Sequence, residues 1–388
     1  MDEKQSYDWD HRTEEVLDDQ IAGYDEMRQR CPVARSRYQH WSLFRHEDVM
    51  RVLEDPETFS SAVSSYLSIP NGMDAPQHTV YRRIIEPYFN PQRMAAFEPT
   101  CRRVAVSLVE SLPVIGEVEL MTAFAQDFAL QIQSAFLGWP VDLHEPLRQW
   151  TRKNQRAILA RDKDAMAHVA LEFDGYIRDL LTARRQAGAD APDDITTSLL
   201  QERIEGRPLN NEEIVSILRN WTVGELGTIS ASVGILAQYL AQRPELQQQL
   251  RAQPSLLPVA IDEILRIHAP LINGRRITTK PVEVGGRQLA QGERVHLIWA
   301  SANRDEAVFG DPDEFRFDRD PSKNLLYGAG LHVCPGAPLA RMELRIIMEE
   351  LLGRTNEITP VAGKEPVKAL YPASGYSVLP LRIVRNAT

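Results

Sequence analysis

Between Tyr327 and Arg341 the chain reads Tyr-Gly-Ala-Gly-Leu-His-Val-Cys-Pro-Gly-Ala-Pro-Leu-Ala-Arg, and no other stretch so narrows what the polypeptide can become. Gly328 and Gly330 permit positive φ and carry no Cβ, so backbone there can approach a flat ligand. Pro335 suits the first position of a following helix, whose free N–H groups then point back at the Cys334 sulfur. Those donors, with the positive helix end, favour thiolate over thiol. Two blander readings compete. A buried cysteine is usually an inert small hydrophobe, and His332 with Cys334 would make half of a zinc site, although no second His/Cys pair stands at ligand spacing elsewhere.

The 388 residues carry no Pro/Gly/Ser linker, repeat or low-complexity block, which predicts one large domain over 1–388. Hydrophobic content of 43% can build a sizeable core. A formal charge of −10 argues against a nucleic-acid partner, and no polybasic stretch faces a membrane. Cys31, Cys101 and Cys334 are too few and scattered for a disulfide framework. No apolar run approaches the ~20 residues that span a bilayer, and the polar start MDEKQSYDWDHRTEE resembles neither signal peptide nor anchor. A cytoplasmic protein is expected.

Alternation predicts a strand over Ser36–Phe44 and helical spacing follows over Glu47–Leu53; residues 62–73 read as a loop. From Gln77 to Arg266 the pattern is mainly helical, broken at Gly138–Pro140, 187–193 and Gly206–Pro208. The C-terminal third mixes short strands around Arg276–Val284, Arg294–Ile298 and Ser377–Val384 with a helix from Gly336. The fold class is therefore mainly α with a smaller β part.

The 327–341 string is similar at nearly every position to the haem signature of the cytochrome P450 family, with Tyr327 where the family usually has phenylalanine. Ile261-Asp-Glu-Ile-Leu-Arg266, Arg276-Ile-Thr-Thr, Ala302-Asn-Arg-Asp305 and Phe315-Arg-Phe-Asp-Arg319 precede it in family order and approximate spacing. The resemblance implies the cytochrome P450 fold, haem b bound through Cys334, and a buried network of Glu263, Arg266 and Arg319 beneath the cysteine loop. His78 and Arg82 are four apart and share a helical face; in family register they, with Arg276 and His332, hold the haem propionates. It also implies electrons drawn ultimately from NAD(P)H through a separate ferredoxin and/or flavin-containing reductase. Arg82, Arg83, Arg93, Arg341 and Arg345 are candidates for its docking face.

Counting back from Pro244, Val223-Gly-Glu-Leu-Gly-Thr228 falls on the long helix that crosses the haem's distal face in the family. There an acid commonly precedes threonine; here Gly227 precedes Thr228. Thr228 back-bonding its own helix is the simple reading, whereas Gly227 can make room for a substrate ring and Glu225 can stand in for the missing acid. The string resembles P450s that O-demethylate small aromatics such as guaiacol, as does Tyr376 near the C-terminus. The expected pocket is Val223, Leu226, Gly227, Thr228, Leu271, Ile272 and Tyr376 with part of the 62–73 loop, without an arginine near the iron. The implied activity is insertion of one oxygen atom of O₂ into a small hydrophobic, aromatic substrate. Peroxide-driven peroxygenation, hydroxylation of a terpene, and a non-catalytic haem-binding module are the rival expectations.

Overall fold

The computed structural model describes residues 7–386, so the first six residues of the polar N-terminal start lie outside the described residues. Its centre is a layer of four helices, Pro91–Ser111, Gln126–Leu137, Asn211–Ala241 and Ala337–Gly353, packed on one another. Phe128, Ile132, Leu218, Val233, Leu344 and Ile347 fill the space between them and are buried. The longest of these helices begins with a reciprocal cap: Asn210 Oδ1 accepts from Glu213 N at 2.9 Å, and Glu213 Oε2 accepts from Asn210 N at 2.7 Å. From Ile229 to Ala241 it is buried on every side, whereas Val223, Gly224 and Gly227 are exposed. The middle of the helix thus opens on a cleft while its second half lies in the core.

A five-stranded sheet stands beside the helices, in the order Val33–Ser36, His40–Leu43, Arg294–Ile298, Asn273–Thr278, Phe59–Ser60. It places Arg276 opposite Val295. A second sheet joins Thr355–Pro360, Pro380–Arg385 and Ile115–Glu119. The strand expected over Ser36–Phe44 is instead a hairpin whose turn is closed by His40 at φ 58°. Ile115–Glu119, read as part of a helical stretch, is a strand because its partner Pro380–Arg385 lies far away in sequence. The break at Gly138 is a left-handed helix end at φ 75°, where only glycine is unstrained. That at Gly206–Pro208 is a short hairpin turned by Gly206.

Pro335 does not open the helix that follows the cysteine. Gly336 is the N-cap, the helix starts at Ala337, and Pro338 occupies its first turn. No helix among the described residues is long and apolar enough to cross a membrane.

Candidate haem-thiolate site

Cys334 sits in a turn held by its own N–H, which donates to the Tyr327 carbonyl at 2.9 Å. Gly328 and Gly330 both take positive φ, 70° and 68°. At Gly330 a Cβ would come within 2.7 Å of the Leu53 carbonyl oxygen, so glycine is needed for close approach as well as for φ. The cysteine is exposed as a residue. Burial raises its pKa, and hydrogen bonds from Gly336 and Ala337 N–H lower it by less. A bound metal cation would supply the positive charge that favours the thiolate. Tyr327 packs beside Arg341, whose guanidinium lies 4.4 Å from the ring centroid, and the buried Tyr327 hydroxyl has no partner.

Beneath the loop, Glu263 and Arg266 are 5% and 0% exposed. Arg266 grips Glu263 with two hydrogen bonds, 2.8 and 3.0 Å, and Arg319 Nε donates to the same carboxylate at 2.7 Å. The spare guanidinium N–H groups of Arg266 end on the carbonyls of Asn303 and Pro312 at 2.7 and 2.9 Å. Asn303 Oδ1 in turn accepts from Leu325 N at 2.7 Å, which ties the network to the entry of the cysteine loop. A buried charge triad is tolerable only when saturated in this way.

On the cleft's rim His78 is wholly buried, and neither ring nitrogen has a hydrogen-bond partner. Its ring centroid lies 4.3 Å from that of His332, whose Nε2 meets Ser61 Oγ at 2.9 Å. Burial first, then Arg276 and His78, push His332 down to about 3. Arg276 donates to the Arg275 carbonyl at 2.8 Å, and Arg82 pairs with exposed Glu86 at 2.8 Å. Asp74, unremarked in the sequence, anchors Ser60 and the Ser61 N–H and acts on His78, Arg276 and His332. Orphaned imidazole nitrogens beside two guanidinium groups are the donor set that an anionic group completes. The residues present fit the two propionates of a haem whose iron Cys334 would hold.

On the long helix Thr228 Oγ1 donates to the Gly224 carbonyl at 2.6 Å. A Cβ at Gly227 would meet no atom within 4 Å. Glu225 does not share that open space with all its oxygens: Oε1 is buried without a hydrogen-bonding donor and turns to Glu343, whose two carboxylate oxygens are equally without a donor.

The expected pocket divides. Val223 and Leu271, each 47% exposed, are open, but Leu226 at 9% and Ile272 at 2% are core residues. Tyr376 lines a separate 490 Å³ cavity with Ile272, Ile235 and Tyr239. The 62–73 loop lines a 700 Å³ cleft through Val63, Tyr66, Leu67 and Asn71. Arg219, Arg275 and Arg276 also line this cleft, which includes none of Val223, Leu226, Gly227, Thr228, Leu271 and Tyr376. Arg219 is held by both Asp174 oxygens at 2.7 and 2.8 Å, so its charge is already matched. Of the proposed docking arginines, Arg345 is likewise committed, to Glu98 and Glu349 at 2.9 Å each.

Comparison with known proteins agrees with this geometry. The family model for cytochrome P450 matches residues 141–366. The chain is 32% identical to linalool 8-monooxygenase of Pseudomonas putida over 81% of its own length and 82% of the relative's. It is 30% identical to erythromycin C-12 hydroxylase of Saccharopolyspora erythraea over 86% of each chain. Among solved structures, a cytochrome P450 of Chondromyces apiculatus superposes with a TM-score of 0.87 at 27% identity, covering 97% of this chain and 98% of that one. A cytochrome P450 of Bacillus megaterium in complex with corticosterone gives a TM-score of 0.85 at 27% identity, covering 95% and 100%. With its cysteine loop, its saturated Glu-Arg-Arg network and a rim where unpartnered His78 stands beside Arg82 and His332, the chain belongs to the cytochrome P450 family and is a haem-dependent monooxygenase.

Proposed function

We propose that the protein inserts one oxygen atom of O₂ into a small aromatic substrate, with removal of the methyl group of an aryl methyl ether as the specific reaction. The observation that carries this reading is the empty space over Gly227, on the exposed middle of the long helix. A flat ring can lie there against the cofactor, where an acidic side chain would otherwise project.

Haem b, when bound, supplies the redox chemistry, with two electrons originating in NAD(P)H and delivered by a separate ferredoxin or flavin reductase. The chain's own groups do the rest. Cys334 would hold the iron, Arg82 and Arg276 would offset the propionate charge, and His78 and His332 would offer them hydrogen bonds. Ser216 and Arg219 tether the Leu67 carbonyl at 3.0 and 2.5 Å, which fixes the 62–73 loop against the long helix. Thr228 presents a hydroxyl one helical turn from Gly224. Once the methyl carbon carries a hydroxyl, the product is a hemiacetal, which collapses to formaldehyde and a phenol. Arg83, Arg93 and Arg341 form the reductase-facing set, and the whole chain acts as one haem domain in the cytoplasm.

The test is a spectral titration of the haem-loaded protein with aryl methyl ethers, phenols, terpenes and fatty acids, followed by formaldehyde assay with reductase. Tight binding and stoichiometric formaldehyde from an aryl methyl ether are expected; tight binding of a terpene alone defeats the aromatic reading. The terpene outcome is the second reading, motivated by the likeness to linalool 8-monooxygenase.

A further inference from the structure

The 490 Å³ cavity lined by Tyr376 has no part in the monooxygenase reading, and its walls come from four separate stretches of chain. They are the start of the helix Gln20–Arg30, the second half of the long helix, the end of the helix Leu257–His268, and the turn between strands Val367–Lys368 and Tyr376–Val378. Ile235 and Tyr239 line it seven and eleven residues after Thr228, which is about 10 and 16 Å farther along the helix axis. Cys334, Val223, Gly227 and Thr228 do not line it. The turn sits close on the long helix: at Gly375, φ 76°, a Cβ would come within 3.3 Å of Ile235 and 3.4 Å of the Ala231 carbonyl oxygen. The volume falls within the ~300–1,000 Å³ of small-molecule sites.

The acids of the cavity are already matched. Asp19 pairs with Lys368 at 2.8 Å, Asp25 with Arg304 at 2.6 Å, and Asp313 with the same guanidinium. Arg304 is 4% exposed, so this side of the wall is a buried and saturated ion network. Arg243 differs, because among the described residues it has no acidic partner. Its guanidinium stands 3.6 Å from the Tyr239 ring centroid and donates to the Tyr239 carbonyl at 3.2 Å. A fork pinned in this way holds its remaining N–H groups in place and has less freedom to lose on meeting an anion. His268 meets the Tyr239 ring edge-on, with centroids 5.4 Å apart. Burial first, then Arg304 and Arg243, bring His268 down to about 4. At neutral pH it is therefore uncharged, with one nitrogen to donate and one to accept. No described residue hydrogen-bonds to its ring or to the Tyr239 and Tyr376 hydroxyls. Ile235, Ile267 and Ile272 supply apolar wall.

We propose that this cavity is a second small-molecule site, which takes an aromatic carboxylate with its anion on Arg243 and its ring among His268, Tyr376 and the isoleucines. Charge selects the class: one cation is left over, and the paired acids leave nothing for a cationic ligand. Ring edges at Tyr239 and His268 and the branched aliphatic wall suit a flat apolar body. Binding here involves no chemical change and does not depend on what is oxidised beside Gly227.

Calorimetric titration of the haem-loaded protein with 2-naphthoate, with the haem Soret band followed in parallel, tests the site. Saturable binding is expected with the Soret band unmoved, and with the same affinity when imidazole saturates the iron. Arg243 and Ala22 are both exposed, so variants at either should fold. Arg243→Gln should weaken 2-naphthoate about ten- to a hundredfold, the worth of a hydrogen bond to a charged group. Ala22→Trp, which fills the cavity from the helix Gln20–Arg30, should abolish binding. Uncharged 2-naphthol should bind the wild type as weakly as 2-naphthoate binds Arg243→Gln. No binding heat in the wild type, or unchanged affinity in both variants, overturns the proposal. So does binding that shifts the Soret band and is lost in imidazole, because that places the probe at the haem.

Discussion

The imidazoles of His78 and His332 lie with ring centroids 4.3 Å apart, and His78 has no hydrogen-bond partner on either nitrogen. Two neighbouring rings with a cation on each side make sense as one half of a charge-assisted contact. A hydrogen bond to a charged group contributes about 1.5–3 kcal/mol. His78→Phe should therefore retain the fold and release haem to an acceptor protein about ten- to a hundredfold more readily. Wild-type haem retention would contradict the assignment of His78 to a propionate.

Replacing Cys334 with serine removes the thiolate that the cleft offers to a metal. The variant should fold with an unchanged far-ultraviolet spectrum and lose the red-shifted ferrous–CO band that a thiolate ligand produces. A wild-type CO spectrum in Cys334→Ser would disprove ligation through this residue.

For Glu263, Arg266 and Arg319 the expected loss is one of stability. Removing one member leaves a buried charge uncompensated, at about 3–5 kcal/mol. Urea unfolding of Arg266→Ala should show a correspondingly lower midpoint and reduced haem-loaded yield, with the product profile of any surviving enzyme unaltered. A changed product profile at normal stability would place the network in substrate selection instead.

Gly227→Ala adds a methyl group where no protein atom lies within 4 Å. The apparent stability of the protein should rise by about 1 kcal/mol, the difference in helix propensity. Binding of the preferred aromatic ether should weaken by about 1–3 kcal/mol, because the added volume meets the ligand rather than the protein. Unchanged affinity together with raised stability would show that the ring does not occupy this space.

Buried histidines make the fold sensitive to acid. His296 faces Arg275, His11, His40 and Arg294, and burial foremost brings it down from 6.5 to about 3; His11 is brought down to about 4, again mainly by burial. Below pH 6.5 the unfolded chain takes up protons that the folded chain refuses. Stability is thus fully present above pH 6.5 and declines as the pH falls toward about 4, by about 1.4 kcal/mol per pH unit for each histidine. His296→Gln should lose less stability than the wild type between pH 6.5 and 5 in urea unfolding. Equal slopes would refute the contribution of His296.

Local chemistry was enough to find Cys334 with its glycines, the long helix ending before Pro244, the 62–73 loop and the breaks at Gly138 and Gly206, because each is specified by residues adjacent in sequence. Family register extended this to Glu263, Arg266 and Arg319, which the structure joins within hydrogen-bonding distance. Other features depended on partners distant in the chain. Ile115–Glu119 became a strand by pairing with Pro380–Arg385, and Leu226 and Ile272 turned into the core rather than the cleft. Arg219 reached the cleft already neutralised by Asp174, and Glu225 found Glu343 more than a hundred residues away. A side chain's direction and its charge partner are set by which elements pack together, and that packing is decided by burial summed over the whole core rather than by the pattern of any one segment.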